Sequence, residues 1–181
     1  MKDLKPLLII SISLIVLIVG SVFLYLRVKE KRERIRNTAI ANFEKAEKIK
    51  QKGNFREAVQ VYERATEVKN NPNYIEAEFK KANIYRYQLN DIAKAKEGYE
   101  KILKLRKKYP QNRRMPDSLV ELSSIYIKER KSDAAIELLE IAREEYPFKA
   151  NRRSVLAFLS QAYKQKGDLQ KAQEISDKIN P

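Results

Sequence analysis

With no Cys and no His in 181 residues, any chemistry here must come from carboxylates, hydroxyls, lysines and arginines. That excludes a thiolate nucleophile, an imidazole base, a Cys/His zinc site and a disulfide. The four glycines, at positions 20, 53, 98 and 167, cannot be arranged into a phosphate-cradling loop. Carboxylates are plentiful, Glu144 and Glu145 among them, but they recur as members of charged helical faces. None is paired in an apolar setting that would raise its pKa for acid–base work. A serine nucleophile has no base to activate it. These residues predict a non-enzyme that uses neither metal nor cofactor.

Binding is the remaining chemistry, and the cations are its first candidates. Lys101, Lys104, Arg106, Lys107, Lys108, Arg113 and Arg114 fall in one stretch without an acid. Lys149, Arg152 and Arg153 form a second cluster. One reading is a solvated loop whose cations complement the end of a helix. The other is a basic surface for an acidic partner, anionic lipid or nucleic acid. Base stacking needs interleaved aromatics, and only Tyr109 is present, so nucleic acid is the weakest of the three.

The apolar residues are spread unevenly. Residues 1–6 form a short tail, and 7–26 contain no charge. Twenty helical residues span about 30 Å, the thickness of a bilayer's hydrocarbon core. The expectation is an uncleaved transmembrane helix over 7–26 and a single-pass membrane location. A basic juxtamembrane helix over 27–36 follows, with six cations, Arg27, Lys29, Lys31, Arg32, Arg34 and Arg36. Lys2 and Lys5 precede the span. The charge count favours a cytoplasmic C-terminal domain, whereas the short basic start resembles an export signal, so the side stays open.

Beyond residue 36 the dominant feature is an internal repeat. Ala58, Ala95, Ala135 and Ala172 are spaced by 37, 40 and 37 residues. Before them stand Ile49, Tyr85, Tyr126 and Tyr163, and before those the small Ala46, Ala82, Ser123 and Ser160. Pro72, Pro110, Pro147 and Pro181 follow each unit. Small residues let two helices approach closely, the large residue fills the space beside them, and proline stops the pair. Gly53 and Gly167 fall at one turn position, where a left-handed backbone suits glycine. Asn90 and Arg130 take the equivalent place. The predicted fold is all-α, with helices over 7–52, 55–69, 73–88, 91–108, 117–130, 132–145, 151–166 and 168–179. Stacked pairs bury a continuous core.

This pattern resembles the tetratricopeptide repeat family, in its membrane-anchored bacterial form. The residues carrying the likeness are Ala46/Ile49/Gly53/Ala58/Tyr62/Ala65, Ala82/Tyr85/Ala95/Tyr99, Ser123/Tyr126/Ala135/Ala142/Pro147 and Ser160/Tyr163/Gly167/Ala172. No unit has the family's early Trp, and Lys45 stands where Leu is usual. The resemblance implies a solenoid over 37–181 of about four repeats, near 38–72, 73–110, 116–147 and 150–181. Its concave groove would hold a peptide or protein segment, in a scaffold serving protein export or envelope assembly. Groove residues expected on the first helices are Phe43, Glu47 and Lys50, then Phe79, Asn83 and Arg86. Val120, Ser124 and Ile127 follow, then Phe158, Gln161 and Lys164. The family's clamp for an acidic C-terminus does not carry over, since Phe43 and Glu47 occupy its Lys and Asn places. A final helix bearing Leu169, Ala172, Ile175 and Ile179 is expected to leave its end partly open to a second copy or a partner.

Overall fold

The computed structural model describes residues 4–147 and 152–179, with side chains from residue 14 onward. Among these residues the chain is helical: α1 (Leu4–Gln51), α2 (Phe55–Thr66), α3 (Tyr74–Tyr87), α4 (Ile92–Leu103), α5 (Arg114–Lys128), α6 (Ser132–Glu145), α7 (Arg152–Lys166) and α8 (Leu169–Asp177). Helices pack as hairpins, α1 on α2, α3 on α4, α5 on α6 and α7 on α8. Each second helix also packs on the first helix of the next hairpin, and α5 touches both α3 and α7. First helices therefore line one wall of the solenoid.

Small residues account for the close hairpins. Ala46, Ala82 and Ser123 are fully buried, as are Ala58, Ala95 and Ala135 opposite them. The tightest approach is at Gly98 of α4, where an added Cβ would lie 2.8 Å from the Ala82 Cβ. Around them Tyr62, Tyr99, Ile102, Met115, Leu119, Ile125, Leu139 and Leu159 fill the core without exposure.

All four hairpin turns use one device. Gly53, Asn90, Arg130 and Gly167 adopt φ of 81°, 53°, 58° and 92°. The next residue's N–H then donates back into the preceding helix: Asn54 to Ile49 O, Lys131 to Tyr126 O and Asp168 to Tyr163 O, at 3.3, 2.9 and 3.0 Å. This is the 6→1 bond of a helix stop. In the second unit Asp91 reaches Tyr85 O at 2.7 Å across one extra residue. Asp91 and Asp168 then cap α4 and α8, accepting from the N–H of Lys94 and Lys171.

The long first helix corrects the membrane expectation. Among the described residues no helix is long and apolar enough to cross a membrane. The side chains of 7–13 lie outside the described residues. From Arg27 onward α1 is charged, and Glu30 and Arg34 pair one turn apart at 2.6 Å. The transmembrane helix, the single-pass location and the membrane as a partner are therefore overturned.

Candidate functional site

The wall formed by α1, α3, α5 and α7 brings the expected groove residues into register, but many of them face one another. Phe79 is buried, its ring centroid 6.0 Å from that of Tyr99, with the Arg114 guanidinium over its ring at 4.4 Å from the centroid. Phe43, half-buried, stands 5.9 Å from the Tyr62 ring in the same relation. Ser124 and Ile127 are also buried, and Val120 packs against the core. These positions bind the solenoid together.

The polar groove positions follow a rule of partners. Tyr62 of α2 donates its hydroxyl to Glu47, and Tyr99 of α4 donates to Asn83 Oδ1 at 2.6 Å. In the third unit the corresponding second-helix residue is Leu139, and the first-helix position carries the short Ser124. At this position an acceptor is thus supplied in the two units whose second helix carries the phenol.

An ion network ties the first helices together. Glu47 receives Lys50 at 2.8 Å and Lys80 at 3.2 Å. Lys80 also lies 3.8 Å from Glu76, which Arg114 grips through two nitrogens at 2.6 and 2.7 Å. Arg114 continues to Asp117 at 2.8 Å, and Arg113 reaches Glu76 at 3.2 Å. Burial pushes the Glu47 and Glu76 carboxyls up, but hydrogen bonds and cations outweigh it. Both end below the ordinary carboxylate value, Glu47 through Lys50, Tyr62 and Lys80, Glu76 through Arg114, Arg113 and Lys80. Further along, Arg86 donates to Glu121 O at 2.7 Å, to the Glu121 carboxylate and to Ser124.

What stays open is smaller. A cleft of about 270 Å³ between the first two units is lined by Lys50, Phe79, Lys80, Asn83, Tyr87 and Arg114, among others. Tyr87 is 57% exposed at its rim. On α7, Gln161 and Lys164 are exposed, and Phe158 is half-buried. The groove expectation therefore narrows to this cleft and the α7 face.

The basic surface is also partly spent. Lys101 pairs with Glu97 at 2.7 Å, Arg106 with Glu145, and Arg113 and Arg114 with Glu76. Lys104, Lys107 and Lys108 are exposed, the last 5.2 Å from the Tyr109 ring. Arg152 and Arg153 are exposed at the start of α7, while Lys149 lies outside the described residues. The cluster does not form a continuous free basic face.

One device went unread in the sequence. The first-helix tyrosines, expected beside the repeat alanines, instead send their hydroxyls to the preceding second helix. Tyr85 donates to Glu63, Tyr126 to Glu100 and Tyr163 to Glu140, at 3.2, 3.3 and 3.4 Å. Each glutamate lies five residues after its repeat alanine, so the signal was present as a fixed offset. Lysines flank the rings: Lys94 at Tyr85, Lys96 and Lys131 at Tyr126, Lys171 at Tyr163. The first unit has no preceding second helix, and its equivalent residue is the apolar Ile49. Among the described residues no group of acids is placed to hold a metal ion.

The tetratricopeptide repeat model matches residues 50–72, 75–109 and 154–179. No curated protein sequence matches the chain. Among solved structures it is similar to the nearly identical TPR-like repeats of a kinesin light chain candidate from Podosopora anserina. That match has 20% identity over 78% of this chain and 72% of the other, with a TM-score of 0.60. It is similar to MamA at 22% identity over 75% and 74% of the two chains, TM-score 0.60. A third likeness, to BtubC (BKLC) from P. vanneervenii, has 21% identity and a TM-score of 0.62. It covers 74% of this chain but only 58% of that one. These likenesses share the fold, without the membrane-anchored type expected from the sequence. With hairpins, left-handed turns and small-residue contacts recurring in register, the chain folds as an all-helical, tetratricopeptide-like solenoid that the repeat model matches in three stretches.

Proposed function

We propose that the chain is a non-enzymatic scaffold that holds a peptide or protein segment along its concave wall. The observation carrying this reading is the cleft of about 270 Å³ between the first two units, with its exposed Tyr87 rim. Amphipathic aromatic residues at the edge of a cleft suit protein contacts. The exposed Gln161 and Lys164 of α7 extend the same wall with polar groups. A mixed wall of this kind suits an extended or helical segment with both apolar and polar side chains. The rival reading, a module for anionic lipid or nucleic acid, is weakened because Lys101, Arg106, Arg113 and Arg114 are engaged by carboxylates of the chain, which breaks up the basic stretch.

Photocrosslinking tests the reading. A benzophenone amino acid is placed at Tyr87 or Gln161 on the concave wall, and at the exposed Gln60 of α2 as a control. Adducts are expected from the first two positions and not from Gln60, and should persist at high salt. Equal adducts from Gln60, or loss of all adducts with salt, would reject the groove.

A further inference from the structure

We propose that the stretch of α1 reaching beyond the hairpins, together with the α2–α3 loop, forms a docking groove for an amphipathic helix of a partner protein, one whose apolar stripe is flanked by acids. Ala39 and Ala46 of α1 are buried. Ile35, Val28 and Leu24 continue the same line of the helix at seven- and four-residue spacing. Nothing covers them: they are 46%, 40% and 64% exposed. The reason is that α2 stops at Thr66, and the loop after it turns away. Val68 and Asn70 of that loop stand opposite the stripe and close one side of a groove of about 880 Å³. A helix laid in the groove would extend along α1 the kind of packing that α2 makes further on.

The charges beside the stripe select the occupant. Lys29, Arg32 and Arg36 recur at three- and four-residue spacing along its edge and line the groove, against the single acid Glu33. Among the described residues none of these three cations has an ion-pair partner, whereas Arg34, on another face of α1, is held by Glu30. An exposed apolar stripe rimmed by unpaired cations fits a surface that is apolar at its centre and acidic at its rim. A second copy of the chain fits poorly, since residues 27–36 would bring six cations and only two acids to meet the same excess. A flat anionic surface fits poorly too, because Val68 and Asn70 make the site concave.

The probe is a blocked, fluorescent peptide about 18 residues long, with leucines at three- and four-residue spacing and glutamates on both flanks of that stripe. It is titrated by anisotropy against the full chain at about 0.15 M salt. Its counterpart with Gln for every Glu is expected to bind at least about tenfold more weakly, as is a scrambled peptide of the same composition. Val28→Asn and Ile35→Asn should each weaken the acidic peptide about fivefold, and Arg32→Gln with Arg36→Gln by a similar factor. Arg34→Gln and Tyr87→Ala should leave it unchanged, the first facing away from the groove and the second lying on the concave wall. Circular dichroism melts confirm that each variant is folded. Equal affinity for the acidic and Gln peptides, or for the scrambled one, would overturn the groove, as would Val28→Asn and Ile35→Asn without effect. Loss of binding in Tyr87→Ala would assign the probe to the concave wall and overturn the second site. No peptide binding, with the chain instead sedimenting on phosphatidylglycerol vesicles, would give the stripe to lipid. Concentration-dependent self-association abolished by Val28→Asn would give it to a second copy. Either of these two results overturns the partner helix. Crosslinking at Tyr87 and Gln161 reads the concave wall alone, so each reading can fail without the other.

Discussion

Arg130 is a long, exposed residue held at φ 58°, a conformation in which its Cβ crowds the following carbonyl. Its place was legible in the sequence, because Gly53 and Gly167 mark the same turn in the first and last units. The left-handed backbone costs a non-glycine residue ~1–2 kcal/mol. Glycine's added freedom in the unfolded chain returns ~0.4–1 kcal/mol of that. Arg130→Gly is therefore expected to stabilise the chain by about 0.5–1 kcal/mol, seen as a rise in thermal midpoint. Asn90→Gly should gain less, since Asn tolerates this region better. An Arg130→Gly variant that melts lower would show that the turn is held by something other than its backbone. The tyrosine–glutamate pairs were less legible. A tyrosine at helical spacing reads as core, and its hydroxyl's direction depends on which neighbouring helix is nearer, a property of the stack and not of the local sequence.

At the scale of elements, the hairpins are fixed by small residues, and the strictest test is Gly98. Alanine there would place its Cβ 2.8 Å from that of Ala82, so α3 and α4 must separate. Gly98→Ala is expected to destabilise by ~1–3 kcal/mol, the usual cost of overpacking. Adding Ala82→Gly should recover part of the loss, because the two changes share one contact. Strictly additive losses in urea titrations would place the strain elsewhere. The repeat alanines were legible from spacing alone, but Gly98 was not, since one glycine inside a helix gives no sign of what approaches it. Helix ends show the same limit. The predicted 91–108 helix stops at Leu103, where the closely spaced cations Lys104, Arg106, Lys107 and Lys108 continue as turns toward Pro110. The helix predicted from 117 begins at Arg114, with Pro116 tolerated in its first turn and Met115 fully buried beneath it. Leu169, expected against its hairpin partner, is 64% exposed, because α8 begins with that residue.

Across the whole molecule, a solenoid is held only by contacts between neighbours, so its units need not share one stability. Stacking order was legible from four recurring alanines, whereas the membrane reading failed because no described helix is long and apolar enough to cross a membrane. The way charge is distributed along the stack was legible only in space. Glu47 and Glu76 join α1, α3 and α5 through Lys80 and Arg114, while the equivalent face of α7 carries Gln161 and Lys164. Both carboxyls titrate below their ordinary value in the folded chain. Such groups contribute stability that is fully present above the unfolded pKa of ~4.3 and lost as pH falls through the lower folded value. Acid should therefore loosen the contacts among the first three units before it affects α7 and α8, whose packing rests on apolar residues such as Leu159 and Ile175. Hydrogen exchange at decreasing pH, corrected for intrinsic rates, is expected to show protection in α3 and α5 falling below about pH 4 while α7 changes little. Glu76→Gln removes one titrating group and should flatten that dependence while lowering protection at neutral pH, because Arg114 loses its strongest partner. Uniform loss along the chain, or an unchanged acid profile in Glu76→Gln, would mean that the network does not couple the units and that apolar stacking alone holds them.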